Sequence, residues 1–345
     1  MTRKPDTTVP DLVADPFEER SQVIAREQFQ LLGGRFQFES NSPQLLRLAD
    51  SAFLGLPRHR LSTVAPHLRV RLLLSPPETR RPRRRSEPPP LSMLSGPGYL
   101  GGAPNSSNFV VLSPSERTAL VVLSRQMLRF PYHARYEFIE FAVFTLASRC
   151  QGLASLHGAC VGRGGRGILL MGPSGSGKST VTLHCVLQGF DMLSEDSVFV
   201  EPETMRATGI ANFLHVRSDS LRWLGKAPVA AAIRKSPVIR RRSGVRKFEV
   251  DLRRGGYRLA ASPLKITAVV FLSPQSAGRR PLLRPLSKSH LLANLTAAQA
   301  YAANQPNWAA FCKSAARLAA FELRRGTHPL EAVEALRALC GTRVP

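Results

Sequence analysis

Apolar and polar positions alternate in short runs over the first third of the chain and recur at helical spacing further on. Gly33-Gly34 ahead of Arg35-Phe-Gln-Phe-Glu39 predicts a turn entering a strand, because Phe36 and Phe38 fall on one face. Ser42-Pro43 opens a helical pattern with Leu45, Leu46 and Leu48, and Val70–Leu74 predicts another strand. Phe109–Leu112 and Ala119–Leu123 predict two strands joined through residues 113–117. From Tyr136 to Cys150, residues such as Phe138, Ile139, Ala142 and Leu146 recur at helical spacing. Ile168–Met171 is short enough for a buried strand, and Val181, Leu183, Cys185, Val186 and Leu187 then predict a helix stopped by Gly189. Asn212–His215 and Lys247–Asp251 read as strands of that same sheet, and Ile266–Leu272 as a later strand. Helices are expected over 297–302, 308–323 and 329–339, with Trp308, Phe311, Ala315, Leu318 and Phe321 sharing a face that suits core packing.

Proline and glycine divide this pattern. The stretch from Ser75 to Asn108 holds PPETRRPRRRSEPPP and then GPGYLGGAPNSS, which favour neither helix nor sheet interiors. It predicts a mobile, protease-sensitive linker, with Arg80, Arg81, Arg83, Arg84 and Arg85 as a solvated cluster. The expected organisation is a small α+β region over 1–75 and the linker over 76–108. A strand pair and helix over 109–150 then lead into an α/β nucleotide-binding core over 151–280, with C-terminal helices over 281–345.

Composition narrows the class. The chain of 345 residues is 43% hydrophobic, enough for a sizeable core. No apolar run is long enough to span a bilayer, and the first twenty residues lack the apolar centre of a signal peptide, so a cytoplasmic protein is expected. Five cysteines without a C-x-x-C pair suggest neither a disulfide framework nor a zinc site. The net charge of +24 raises the prior for an anionic partner, but the excess is mostly arginine spread along the chain. With no recognisable nucleic-acid module, no nucleic-acid partner is expected.

The chemistry concentrates at one loop. Gly172, Pro173, Ser174, Gly175, Ser176, Gly177, Lys178 and Ser179 fit G-x-x-x-x-G-K-[ST] in full, between a predicted strand and a predicted helix. The glycines permit a tight path that turns backbone N–H groups inward, and the helix start adds its positive end to the same point. Lys178 is placed to reach the β- and γ-phosphates, Ser179 to bind magnesium, and Thr180 to add a hydroxyl near the α-phosphate. ATP and magnesium are therefore the expected ligands. A transporter ATPase shares such a loop but needs a later helical signature and a strand ending in an acid. Here the nearest string, Leu94-Ser-Gly-Pro-Gly98, precedes the loop, and Ile266–Leu272 ends in Ser273-Pro274.

The nearest acids follow almost at once, as Glu195-Asp196 after Asp191-Met-Leu-Ser194. Leu156-His157-Gly158-Ala159, Gly167–Met171, Gly172–Thr180, Gly189 and Glu195-Asp196 together resemble the catalytic domain of HPr kinase/phosphorylase and its relatives over about Ser155 to Val200. The resemblance implies a core similar to that of phosphoenolpyruvate carboxykinase and a kinase acting on a Ser or Thr hydroxyl of a protein or peptide. It implies Glu195 at the base position, Asp196 on the metal side with Ser179, and His157 as an active-site histidine beside Lys178. Arg206, Arg217 and Lys247 are further cationic candidates. The chain departs from that family at Thr180, where the bifunctional enzymes carry an acid. It departs again at Glu195-Asp196 in place of Asp-Asp, and at Arg206-Ala-Thr-Gly209 in place of an Arg-Gly-x-Gly run. A non-catalytic nucleotide-binding regulator and a small-molecule kinase remain as alternatives, and a homo-oligomer is compatible with all three.

Overall fold

The computed structural model describes residues 23–61, 64–76 and 87–341. The fold is mixed α/β, with a seven-stranded, a nine-stranded and a three-stranded sheet.

The seven-stranded sheet runs in the order 25–31, 34–40, 67–74, 118–123, 108–113, 99–105, 92–96. Alternation drives its packing. Phe36 and Phe38, Val70 and Leu72, Val110 and Leu112, and Val121 and Leu123 turn to one buried face. Onto that face pack the helix Pro43–Phe53 and the helical stretch from Pro131 to Gln151. The strand pair near 109–123 therefore belongs to the N-terminal sheet and does not stand between two units. The linker expectation is corrected in its second half, where Ser92–Gly96 and Tyr99–Asn105 form a hairpin of this sheet. Its glycines do not break the sheet; at Gly101 the missing side chain admits a neighbour. A Cβ there would lie 2.5 Å from the Val110 carbonyl oxygen. Leu94–Gly98 falls on this hairpin, far in the topology from the glycine-rich loop. The arginine cluster 80–85 lies outside the described residues.

In the nine-stranded sheet, Arg166–Met171 lies parallel to Leu264–Ser276, which lies parallel to Ala319–Arg325. Ile168 and Leu170 pack with the helices Lys178–Leu187 and Pro329–Gly341 on one side. Leu169 and Met171 pack with Leu291, Leu295 and Phe311 of the helices Lys288–Ala298 and Trp308–Ala315 on the other. Burial on both faces explains why this strand reads as an unbroken apolar run. The helix expected over 308–323 is corrected. It stops at Ala315, and Phe321 sits on a strand, because the open edge of Leu264–Ser276 supplies hydrogen bonds that override the helical spacing.

The strands Phe213–Val216 and Arg246–Asp251 do pair, but in a separate sheet completed by Val238–Arg240, not in the sheet of the loop. This small sheet stands beside the end of the nine-stranded one where the glycine-rich loop emerges. No helix among the described residues is long and apolar enough to cross a membrane.

Candidate functional site

The loop joins the strand Arg166–Met171 to the helix Lys178–Leu187, as its sequence predicts. Gly172, Gly175 and Gly177 all take positive φ, at 145°, 82° and 99°, where a side chain would be strained. Lys178 Nζ donates to the carbonyls of Gly172 and Pro173. Burial lowers its ammonium below the usual lysine range, against the pull of Asp196. The Ser176 hydroxyl is buried in the loop and has no hydrogen-bond partner among the described residues. Thr180 Oγ1 lies 2.9 Å from Ser220 Oγ. The loop floors a cleft of about 510 Å³ that His157, Asp196, Arg217, Arg241 and Lys247 also line.

The acidic pair sits in the turn between the strands Asp191–Ser194 and Ser197–Val200. That turn brings it beside the loop but sends the two carboxylates to different partners. Glu195 is buried; its Oε1 accepts from Ser179 Oγ at 2.7 Å, and its Oε2 accepts from the His215 backbone N–H at 2.8 Å. Asp196 faces the cleft, and its Oδ2 accepts from Arg241 Nη2 at 2.7 Å. Burial alone raises the Asp196 carboxyl, but Arg241 outweighs it and holds the group below the ordinary range. His157 reaches the same place through the sheet. It pairs with Ser197, and the next residue, Gly158, donates its N–H to the Asp196 carbonyl at 3.1 Å. Gln299 clasps the His157 backbone on both sides, at 2.7 Å to N and 2.8 Å to O.

No protein-family model and no curated protein matches the chain. Among solved structures, the Hpr(Ser) kinase/phosphatase from Coxiella burnetii is similar, at 12% identity over 53% of this chain and 88% of that one, with a TM-score of 0.27. A likeness that weak carries no functional weight, and the chemistry rests on the side chains.

Behind the acidic pair runs a buried ionic chain. His215 bonds Glu195 Oε2 through Nδ1 at 2.8 Å and meets Glu249 Oε1 through Nε2 at 3.3 Å. Burial opposes charge on this imidazole, but Glu195 first and Glu249 second push it up to about 9. Glu249 is bonded in turn by both Arg135 Nη atoms, and Arg135 Nε donates to Glu140 Oε1 at 3.1 Å. Arg135 and Glu140 are five residues apart and still meet because the helix widens to a π-turn over Ala134–Glu140. Asn212 Nδ2 completes the satisfaction of Glu140 at 3.1 Å. Every charge in this chain has an opposite neighbour, which is what permits their burial.

Nothing in the sequence singled out His215, Glu249, Arg135, Glu140 or Arg241. Of the cationic candidates, Arg217 and Lys247 line the cleft, and burial lowers the Lys247 ammonium. Arg206 does not line it; its Nη2 donates to the Arg60 carbonyl at 2.8 Å.

The donor set suits a hard divalent cation. Glu195, Asp196 and His215 offer ligand atoms within 4.8 Å of one another, and Ser179 Oγ adds a hydroxyl oxygen beside Glu195. Both ring nitrogens of His215 face carboxylate oxygens, so the carboxylate and hydroxyl oxygens are the ligands that fit magnesium.

Proposed function

We propose that the chain is a magnesium-ATP-dependent kinase that passes the γ-phosphoryl group to a Ser or Thr hydroxyl of a protein or peptide. The observation that carries this is the 2.7 Å bond between Ser179 on the loop helix and Glu195 of the acidic pair, with Asp196 and Lys178 in one cleft. Transfer to a hydroxyl at a phosphate-cradling loop is served by an acid beside the loop Ser on the metal side and a base for the nucleophile. The parallel neighbour of the loop strand, Leu264–Ser276, carries no carboxylate, so the turn at Glu195-Asp196 is the source.

The roles proposed for the two acids reverse those expected by resemblance. Glu195, buried against Ser179, takes the metal side; Asp196, facing the cleft, takes the acceptor side. Ser179 and Glu195 would hold magnesium, which would supply charge neutralisation to the phosphates. The acceptor oxygen forms a bond to the γ-phosphorus, and the bond from that phosphorus to the β,γ-bridging oxygen breaks. ADP leaves with the electron pair, and the hydroxyl proton passes to the Asp196 carboxylate. Arg241 keeps that carboxylate ionised and directed. Lys178, Arg217 and Lys247 face the charge on the transferred group.

Calorimetric titration of ATP with magnesium into the wild type and Lys178→Ala tests the nucleotide half. Binding by the wild type and loss of it in a folded variant is the expected result; equal affinities refute the assignment. A non-catalytic regulator is the second reading, favoured by the Asp196–Arg241 pair if it never opens. It predicts ATP binding with no transfer to any acceptor.

A further inference from the structure

We propose that a second cavity, reached past the Arg241–Asp196 pair, is the acceptor site, and that it takes an extended peptide segment with an apolar side chain beside a carboxylate. The proposal rests on the kinase reading above and names its substrate class.

The cavity measures about 900 Å³ and lies between the helix Pro43–Phe53, the chain from Leu128 to Arg135 and the edge of the three-stranded sheet. Arg241 lines both it and the glycine-loop cleft, so one side chain stands where the two spaces meet. Glu249 and Tyr132 also line it, and the Tyr132 ring centre is 5.9 Å from that of His215, the residue that holds Glu195. A hydroxyl held here would meet Asp196 across Arg241, which lines the cavity and bonds that carboxylate at 2.7 Å.

Three features define the occupant. Leu48, Leu128, Phe130, Val238 and Ile239 form apolar walls that favour an apolar side chain. Exposed Arg47 stands on the helix wall with no ion pair among the described residues, whereas Arg240 pairs with Glu87 at 2.9 Å and Arg242 with Glu137 at 2.5 Å. Arg47 is thus the cation that complements a carboxylate of the occupant. Val238–Arg240 is also an edge strand, paired only with Arg246–Asp251 among the described residues. An edge of this kind can pair with an extended backbone, which a small molecule lacks.

Three pools of synthetic nonapeptides, each with a central Ser or Thr, provide the test. Their flanks are Glu and Leu, Lys and Leu, or Glu and Gly. Each pool is measured for binding by fluorescence anisotropy and for label gained from γ-labelled ATP with magnesium. The full chain is compared with Arg47→Glu and Val238→Glu, both exposed positions, and ATP affinity reports that each variant is folded. The Glu/Leu pool should bind and label best. Both variants should lose about tenfold or more on that pool, because a carboxylate meets like charge. Arg47→Glu should also shift preference toward the Lys/Leu pool. Transfer that proceeds equally in wild type and variants leaves the kinase reading standing and overturns this site. A preference for Lys/Leu in the wild type overturns it as well. Binding of Glu/Leu that the variants abolish, with no label on any pool, overturns the acceptor role together with the kinase reading.

Discussion

His215 shows how much of the site depends on one side chain that sequence did not mark. It is a buried imidazolium between two glutamates, so its charge is bound to folding. Its ordinary value of 6.5 rises to about 9 in the folded chain. Below 6.5 both folded and unfolded chains hold the proton, and the contribution is fully present. Between 6.5 and about 9 only the folded chain holds it, so stability falls as pH rises through this window, by about 3 kcal/mol in all. Melting temperatures of wild type and His215→Gln across this range check it; the variant should start lower and decline less, and parallel slopes contradict the assignment. At the same scale, Glu195→Gln should weaken the magnesium dependence of ATP binding, because a charged oxygen beside Ser179 becomes an amide. A magnesium titration of ATP affinity is the measurement. The loop and the acidic pair were legible because each is a contiguous string. His215, Glu249 and Arg135 were not, since they meet across separations of 20 to 114 residues. In a chain of net charge +24, one more arginine looks like surface.

Elements, more than residues, decide which of these groups meet. The turn after Asp191–Ser194 carries both acids, and the strand Ala154–His157 delivers His157 beside them because it pairs with Ser197–Val200. Gln299, at the end of the helix Lys288–Ala298, fixes that strand end by bonding the His157 N–H and carbonyl. Gln299→Ala leaves two backbone groups without that partner, so it should cost about 2 kcal/mol or more in denaturant unfolding. It should lower transfer while leaving ATP affinity close to wild type; unchanged stability and transfer would show the clasp to be idle. Strands with strict alternation, such as Gly34–Ser40, were readable, as was the loop helix. Ala319–Arg325 was not, because a run of helical spacing continues into it and only the open edge of a distant strand makes it extended. The hairpin over 92–105 was hidden for the opposite reason: its glycines and prolines signal breaks locally, but here Gly101 allows close approach of a neighbouring strand.

For the whole molecule, the N-terminal sheet is part of the site and not an appendage. Its helix from Pro131 to Gln151 sends Arg135 and Glu140 beneath the acidic pair, and its helix Pro43–Phe53 walls the second cavity. The glycine-rich loop and the acidic pair belong to the nine-stranded sheet, and Arg241 and His215 to the three-stranded one. Two sheets thus line the cleft, and helices packed on the third hold the ionic chain behind it and wall the second cavity. The most direct test of this account is phosphate transfer from γ-labelled ATP with magnesium to mixed Ser/Thr peptide pools, comparing wild type with Asp196→Asn. The amide keeps the shape and removes the proton acceptor. The account predicts that the wild type labels peptide, while Asp196→Asn binds ATP nearly as well and labels about 10²–10⁴-fold more slowly. Equal labelling by the two proteins, or none by an ATP-binding wild type, would contradict it.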